Sequence, residues 1–126
     1  MKANKYGVKV GDIFSASWGW EQTNVNFFQV IALCGEQSVR VREVHPEIIR
    51  EDATGPMSGD YTYKVTEEVL PPVERSLFIK DQAKGDIKRL KCFDREGKYP
   101  CFAIASYADA HKVHGDTVTV YESWYA

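Results

Sequence analysis

Three cysteines and three histidines are the side chains of this chain that could act as nucleophiles, general bases or soft metal ligands. They are Cys34, Cys92, Cys101, His45, His111 and His114. A thiol nucleophile needs a base beside it, and nothing in the spacing of these residues brings a cysteine to a histidine. An odd number of cysteines without a secretion signal favours free thiols in a reducing compartment, where they pack as small hydrophobic side chains.

A metal site and an acid–base pair are the other chemical possibilities. His111 and His114 lie three residues apart near the end of a predicted helix, where Cys101 or Asp109 could join them, but no cysteine pair has zinc-finger spacing. Paired carboxylates would require the fold to bring distant acidic residues together, and the candidates are Asp12, Glu21, Asp116 and Glu122. No glycine-rich loop precedes a lysine as in a phosphate-binding loop. We therefore expect no catalytic residue, no cofactor and no metal, and we do not expect an enzyme.

Two short segments at opposite ends of the chain concentrate aromatic and polar side chains. One is Trp18–Asn24 and the other is Tyr121–Ala126. Aromatic side chains beside amides and hydroxyls are typical of recognition surfaces, and also of tightly packed turns. If the two segments meet on a closed sheet, they form one partner-binding patch made of Trp20, Gln22, Asn24, Trp124 and Tyr125. In the alternative interpretation, Trp18, Tyr121 and Trp124 are packing residues and residues 22–24 only hold a turn.

The charge distribution suggests a second kind of surface. The whole chain has a net charge of −2, but residues 75–98 hold eight basic and four acidic residues, whereas residues 36–74 hold nine acidic and four basic ones. A basic hairpin could bind a nucleic-acid backbone through Lys88, Arg89, Lys91, Arg95 and Lys98, with Phe93 and Tyr99 as stacking partners. Arg40 and Arg42 would extend this surface if their strand lies beside it. A solvated hairpin that resists aggregation is the alternative.

The elements that carry these residues are mainly strands. With 126 residues, of which 44% are hydrophobic, the chain fits one domain over residues 1–126. Alternating or β-branched segments predict a strand over 13–18, a hairpin with arms 25–33 and 38–44, a strand over 61–66 and a short strand over 77–79. Residues 45–52 fit either one or two helical turns or a continuing strand, and residues 53–60 read as a loop. No apolar segment is long enough to span a membrane, so we expect a cytoplasmic protein.

A second hairpin is predicted from 87–93 and 99–105, and two registers compete. A type I turn with Gly97 in the left-handed position places Leu90 opposite Phe102 and Cys92 opposite Pro100. A two-residue turn would instead set Cys92 across from Cys101, but it needs a positive φ at Glu96. We prefer the first register, in which the two cysteines lie on opposite faces and stay reduced.

The last part of the chain predicts a helix followed by a strand. Ser106 and Asp109 form a possible capping box, Ala108 and Ala110 favour a helix, and Gly115 would end it. Residues 117–121 then alternate as a strand that would close the sheet. The predicted fold is mainly β, a single small antiparallel bent sheet or barrel with one or two short helices.

Six short motifs are spread along nearly the whole chain: Gly11–Phe14, Ser17–Asn24, Phe27–Val30, Met57–Gly59, Ser106-Tyr107 and Tyr121–Ala126. Together they resemble a family of small uncharacterised proteins that phages, prophages, plasmids and conjugative elements of bacteria encode. Trp20 stands where the family pattern has a tyrosine, and the cysteines that flank residues 94–98 are also a departure.

The resemblance implies a genetic neighbourhood rather than an activity. Accessory proteins of mobile elements include inhibitors of host defence, such as anti-CRISPR and antirestriction proteins. It therefore leads us to expect a non-enzymatic protein that binds a bacterial host protein, with nucleic acid as the second choice of partner.

Overall fold

The computed structural model describes residues 3–4, 6–19, 24–55, 58–92 and 100–123. These ranges contain ten strands and no helix, and so no helix that could cross a membrane. The strands are β1 (Ile13–Trp18), β2 (Asn24–Cys34), β3 (Ser38–Val44), β4 (Ile48–Gly55), β5 (Ser58–Lys64), β6 (Asp86–Arg89), β7 (Lys91–Cys92), β8 (Pro100–Ala105), β9 (Ala108–Lys112) and β10 (Thr117–Ser123).

Seven of these strands form an antiparallel sheet that curls into a nearly closed barrel. Their order is β6-β3-β2-β1-β9-β8-β7, and the two edge strands β6 and β7 are separated in the chain by Leu90 alone. The sheet therefore returns to its starting point through one residue, whose backbone N–H donates to the Gln37 carbonyl at 2.6 Å. The predicted β class and barrel are confirmed.

The barrel core follows directly from the alternation of side chains along each strand. Phe14 and Ala16 of β1, Phe28 and Val30 of β2, and Val39 and Val41 of β3 are fully or almost fully buried in one cluster. Because successive side chains of a strand point to opposite faces, these positions share the inner face of the curled sheet. Phe102 of β8 and Ala110 of β9 belong to the same cluster.

A second, three-stranded sheet packs on the outside of the barrel. Its order is β10-β5-β4. Phe27 and Ile13, whose neighbours in sequence face the barrel core, form a separate cluster with Val44 and with Tyr63 of β5. The rings of Phe27 and Tyr63 lie 4.5 Å apart. Strand β2 thus contributes to two hydrophobic cores, one on each of its faces.

Five of the predicted segments need correction or refinement. Residues 106–115 form no helix: Ser106 and Tyr107 are a turn, and residues 108–112 are strand β9. Ala110 pairs with Phe102 in a fully buried position, where a small side chain leaves room for the aromatic rings, so tertiary packing overrides helix propensity. Residues 45–52 fitted either helical turns or a strand, and the strand alternative is confirmed, because residues 48–52 belong to β4. The predicted loop over 53–60 is mostly strand. Residues 77–79 form no strand, and β10 pairs with β5 instead of closing the main sheet.

The register prediction for the second hairpin is confirmed, but its partners differ from the expectation. Cys92 pairs with Pro100 and Lys91 with Cys101, as the preferred register requires. Cys34 and Cys101 are thiols rather than half-cystines. The first arm, however, is divided at Leu90 into two strands. Strand β7 pairs with β8, whereas β6 pairs with β3. The turn itself, residues 93–99, lies outside the described residues.

Candidate binding surface

Most of the predicted partner-binding residues lie outside the described ranges. These are Trp20, Gln22, Trp124 and Tyr125. Asn24 begins β2 and pairs in register with Trp18, the last residue of β1. The connection that carries Trp20 and Gln22 therefore leaves and re-enters the barrel at Trp18 and Asn24.

Three aromatic rings meet at the end of the barrel where β1 stops. Trp18 packs edge-on against Phe78 with ring centroids 5.5 Å apart, and Tyr107 lies 6.0 Å from Trp18 and 6.5 Å from Phe78. Phe78 comes from the irregular segment 76–79, and Tyr107 from the tight turn between β8 and β9. Each ring thus comes from a different part of the chain, which explains why sequence spacing alone did not group them.

These rings continue the aromatic packing of the barrel interior. Phe78 lies 6.3 Å from Phe28, which lies 6.0 Å from Phe102, which in turn lies 4.9 Å from Phe14. Tilted and edge-to-face pairs at these distances are favourable aromatic geometries. The rings at the barrel end therefore rest on a rigid core.

A hydrogen-bonded network centred on Glu43 fixes the same end of the barrel. The indole N–H of Trp18 donates to Asn26 at 2.6 Å, and the Asn26 amide donates to Glu43 Oε2 at 3.3 Å. The Ser76 hydroxyl donates to Glu43 Oε1 at 2.6 Å and accepts from the backbone N–H groups of Phe78 and Ile79. Trp18 and the segment that carries Phe78 are thus held by one carboxylate.

The outer edge of this region is exposed and apolar. Tyr107, whose ring contacts the partly buried Trp18, keeps 65% of its surface accessible, and Leu77, the neighbour of Phe78 in sequence, keeps 83%. We define Trp18, Leu77 and Tyr107 as the barrel-mouth patch. Exposed aromatic residues on a rigid base are the residue type that most often anchors a protein partner. Sequence reasoning missed Leu77 and Tyr107 because it assigned them to a strand and to a helix cap.

Three of the five basic residues of the predicted nucleic-acid surface lie in the described ranges, and two of these three have side-chain partners within the protein. The Arg89 guanidinium donates to Gln37 at 2.9 Å, and Lys91 forms an ion pair with Asp109 at 3.1 Å. Lys88 pairs with Val39 in the β3–β6 ladder, while Arg95 and Lys98 lie outside the described residues. The adjacency that the sequence left conditional does occur, because β3, with Arg40 and Arg42, lies directly beside β6.

A charged cavity of about 430 Å³ lies where the barrel meets the segment after β5. The nearly buried carboxylate of Asp12 forms ion pairs with Lys9 Nζ at 2.9 Å and with Lys112 Nζ at 3.3 Å. Lys9 Nζ also forms an ion pair with Glu67 at 2.9 Å. Hydrogen bonds to Glu67 and then to Asp12 raise the pKa of Lys9 above its ordinary value of 10.5. Because these charges satisfy one another, we interpret the cluster as a structural joint.

The fold places Cys101 directly opposite His111 in the β8–β9 ladder, and it separates the other candidate chemical groups. Asp12 and Asp116 line the charged cavity with His114, whereas the Glu122 carboxylate accepts a hydrogen bond from the Tyr63 hydroxyl at 3.0 Å. Burial and then this bond raise the pKa of Tyr63. His111 lies on β9, not on a helix face with His114. Across the ranges described above, no three residues among His, Cys, Asp and Glu cluster as metal ligands would, and Glu21 lies outside them.

No protein-family model, curated protein or solved structure matches this chain.

Proposed function

We propose that this protein works by binding rather than by catalysis, and that the barrel-mouth patch holds a partner protein. The observation that carries the proposal is the exposure of Tyr107 against Trp18, whose indole is fixed by Asn26, together with the exposure of Leu77 next to Phe78 in sequence. Binding of a partner over exposed aromatic and aliphatic side chains is favourable, because it removes apolar surface from water. The patch is the strongest candidate for such a surface.

Rigidity of the patch supports the same conclusion. Trp18 is held by its hydrogen bond to Asn26 and by its contact with Phe78, and the segment 76–79 is tied to Glu43. A surface that is already ordered loses little conformational entropy when it binds. A small patch can therefore serve as the anchor of a protein interface.

The partner class follows from the resemblance to proteins of mobile genetic elements. The proposed partner is a bacterial host protein, with defence machinery as the preferred target, and the proposed place of action is the host cytoplasm. The proposed binding surface extends to Trp20 and Gln22 of the β1–β2 connection, to Asn24 at the start of β2, and to Trp124 and Tyr125. Trp20, Gln22 and Asn24 are included because the β1–β2 connection starts and ends at the barrel mouth.

Affinity capture of the tagged protein from a bacterial lysate, with and without nuclease, tests this proposal. The test variant combines Leu77→Ser with Tyr107→Ala. The matched control combines Ile49→Ser with Tyr121→Ala, which removes an aliphatic and an aromatic residue of about half exposure from the second sheet. We expect a host protein that survives nuclease, is retained by the control and is weakened at least about tenfold by the test variant, as for loss of an interface anchor.

Two outcomes would contradict the proposal. One is capture that the control abolishes and the test variant leaves intact. The other is normal folding and full binding activity of the test variant and of a second variant that combines Trp20→Ala with Trp124→Ala. Thermal unfolding of every variant distinguishes loss of binding from loss of the fold.

A further inference from the structure

An open groove runs along the side of the barrel, away from the barrel-mouth patch. It has a volume of about 480 Å³ and lies between strand β6, Arg40 of β3 and the turn that precedes β6. None of the three residues of the barrel-mouth patch lines it. Its charged lining residues are Arg40, Lys80, Asp81, Lys84, Asp86 and Lys88.

The two carboxylates of the groove are occupied by the backbone of the turn. Asp86 accepts the N–H of Lys80 at 2.8 Å and that of Asp81 at 3.2 Å. Asp81 accepts the N–H of Lys84 at 3.0 Å. Both acidic side chains therefore shape the turn, and within the described part of the chain neither forms an ion pair with a lysine of the groove. Four cations face two anions, so the groove has a net positive charge.

The turn is pressed closely against β3, which gives the groove a defined shape. The Arg40 guanidinium donates to the Gly85 carbonyl at 2.9 Å. Gly85 has a φ of +83°, and a Cβ at this position would lie 2.8 Å from the Val41 carbonyl oxygen. Only glycine combines this conformation with this approach, so the turn that carries Lys84 lies directly against β3.

We infer that this groove binds the phosphate backbone of nucleic acid without regard to base sequence. Lysine ammonium groups act as point charges that suit phosphates in many orientations, and Arg40 adds a planar donor. The lining has no aromatic residue on which a base could stack, and its only large apolar side chain is the half-exposed Ile87. An acidic protein segment would need apolar anchors that the groove lacks, so phosphate contacts are the chemistry that it fits.

This surface goes beyond the proposed protein-binding function and differs from the basic hairpin that the sequence suggested. Lys88 belongs to both, and Arg40 was a conditional extension of that hairpin, but Lys80 and Lys84 take the place of Arg89, Lys91, Arg95 and Lys98. Because the whole chain carries a net charge of −2, the attraction is local. We therefore expect weak binding that depends strongly on salt.

Fluorescence anisotropy with a labelled single strand of about 20 nucleotides, and with the matching duplex, tests the inference. With about three phosphates contacted, the logarithm of the affinity for the single strand should fall with the logarithm of salt concentration with a slope of about −2. Combining Lys84→Gln with Lys88→Gln should weaken binding about tenfold at low salt and reduce the slope by about one. The charge-matched control combines Arg50→Gln with Lys64→Gln, both on the second sheet, and should stay within about twofold of the wild type.

The outcomes separate this surface from the barrel-mouth patch. The variant with Leu77→Ser and Tyr107→Ala should keep nucleic-acid binding. No binding at about 25 mM salt, or equal losses in the two charge variants, would overturn the inference. Displacement of the oligonucleotide by polyglutamate at equal charge concentration would also overturn it, because the groove would then serve an acidic protein. Circular dichroism and thermal unfolding of both charge variants establish that they fold.

Discussion

A single buried amide, that of Gln29, ties the barrel to the segment that follows β5. Gln29 is fully buried on the outer face of β2. Its Nε2 donates to the carbonyls of Gly11 at 3.1 Å and Glu68 at 2.7 Å, and its Oε1 accepts the N–H of Leu70 at 2.7 Å. Three backbone groups from two segments thus depend on one side chain, because a buried backbone group without a partner is costly.

Gln29→Leu should therefore destabilise the protein well beyond the loss of one hydrogen bond. The leucine is close in size but leaves three backbone groups unpaired, so we expect the free energy of unfolding to fall by about 2 to 4 kcal/mol in urea denaturation. Gln37→Leu is the matched control, since among the described residues the Gln37 side chain bonds to one exposed arginine. Its cost should stay below about 1 kcal/mol. Equal costs for the two variants would show that the Gln29 bonds contribute little.

At the scale of elements, the segment 73–82 is the irregular piece that closes the mouth of the barrel. Gln82 donates to the carbonyls of Glu43 and Val73 and accepts the Glu43 N–H, so the segment is anchored to the end of β3 at both of its ends. Between these anchors Phe78 is buried against Trp18 and Phe28, while Leu77 is exposed. Hydrogen bonds rather than a strand ladder hold this element in place.

Two neighbouring substitutions separate closure of the barrel from its outer surface. Phe78→Ala should reduce the free energy of unfolding by about 3 to 5 kcal/mol, because it removes a buried ring and leaves a cavity. It should also change the fluorescence of Trp18. Leu77→Ala should change stability by less than about 0.5 kcal/mol, because this side chain is already in solvent. A large loss of stability for Leu77→Ala would mean that the segment packs differently from the structure described above.

At the scale of the whole molecule, β2 joins the two hydrophobic cores, because one core packs on each of its faces. Phe28 faces the barrel core, and the adjacent Phe27 faces the second sheet through Tyr63. The charged joint around Asp12 and the bonds of Gln29 add polar contacts between the barrel and the segment after β5. The second sheet is therefore held by one hydrophobic cluster and by two polar anchors.

Substituting each phenylalanine separately tests whether the two cores unfold together. Both Phe27→Ala and Phe28→Ala should cost about 3 to 5 kcal/mol. Hydrogen exchange should then distinguish them: Phe27→Ala should expose the amides of β5 and β10 first, whereas Phe28→Ala should lower protection throughout the barrel. Identical loss of protection in all strands for both variants would show instead that barrel and second sheet form one cooperative unit.

Local patterns were sufficient to predict most strands and one register. The alternation in 13–18 and 38–44 marks β1 and β3 with their observed bounds, because one face of each strand must be apolar. The pairing of Cys92 with Pro100 followed from the turn chemistry of Gly97, which is also a local property. These features needed no knowledge of the rest of the molecule.

Tertiary structure alone decided which strands pair and which side chains stay exposed. Ala108 and Ala110 lie in a strand because β9 must fill the space between β1 and β8, and helix propensity is weaker than that packing. Likewise, β6 pairs with β3 instead of β8, and β10 joins a second sheet. The barrel-mouth patch depends on contacts of Tyr107 with Trp18 and with Phe78, the neighbour of Leu77, and only long-range contacts can assemble residues so far apart in the chain. The sequence determines the residue types of the patch, but the nearly closed sheet determines which of them lie close together.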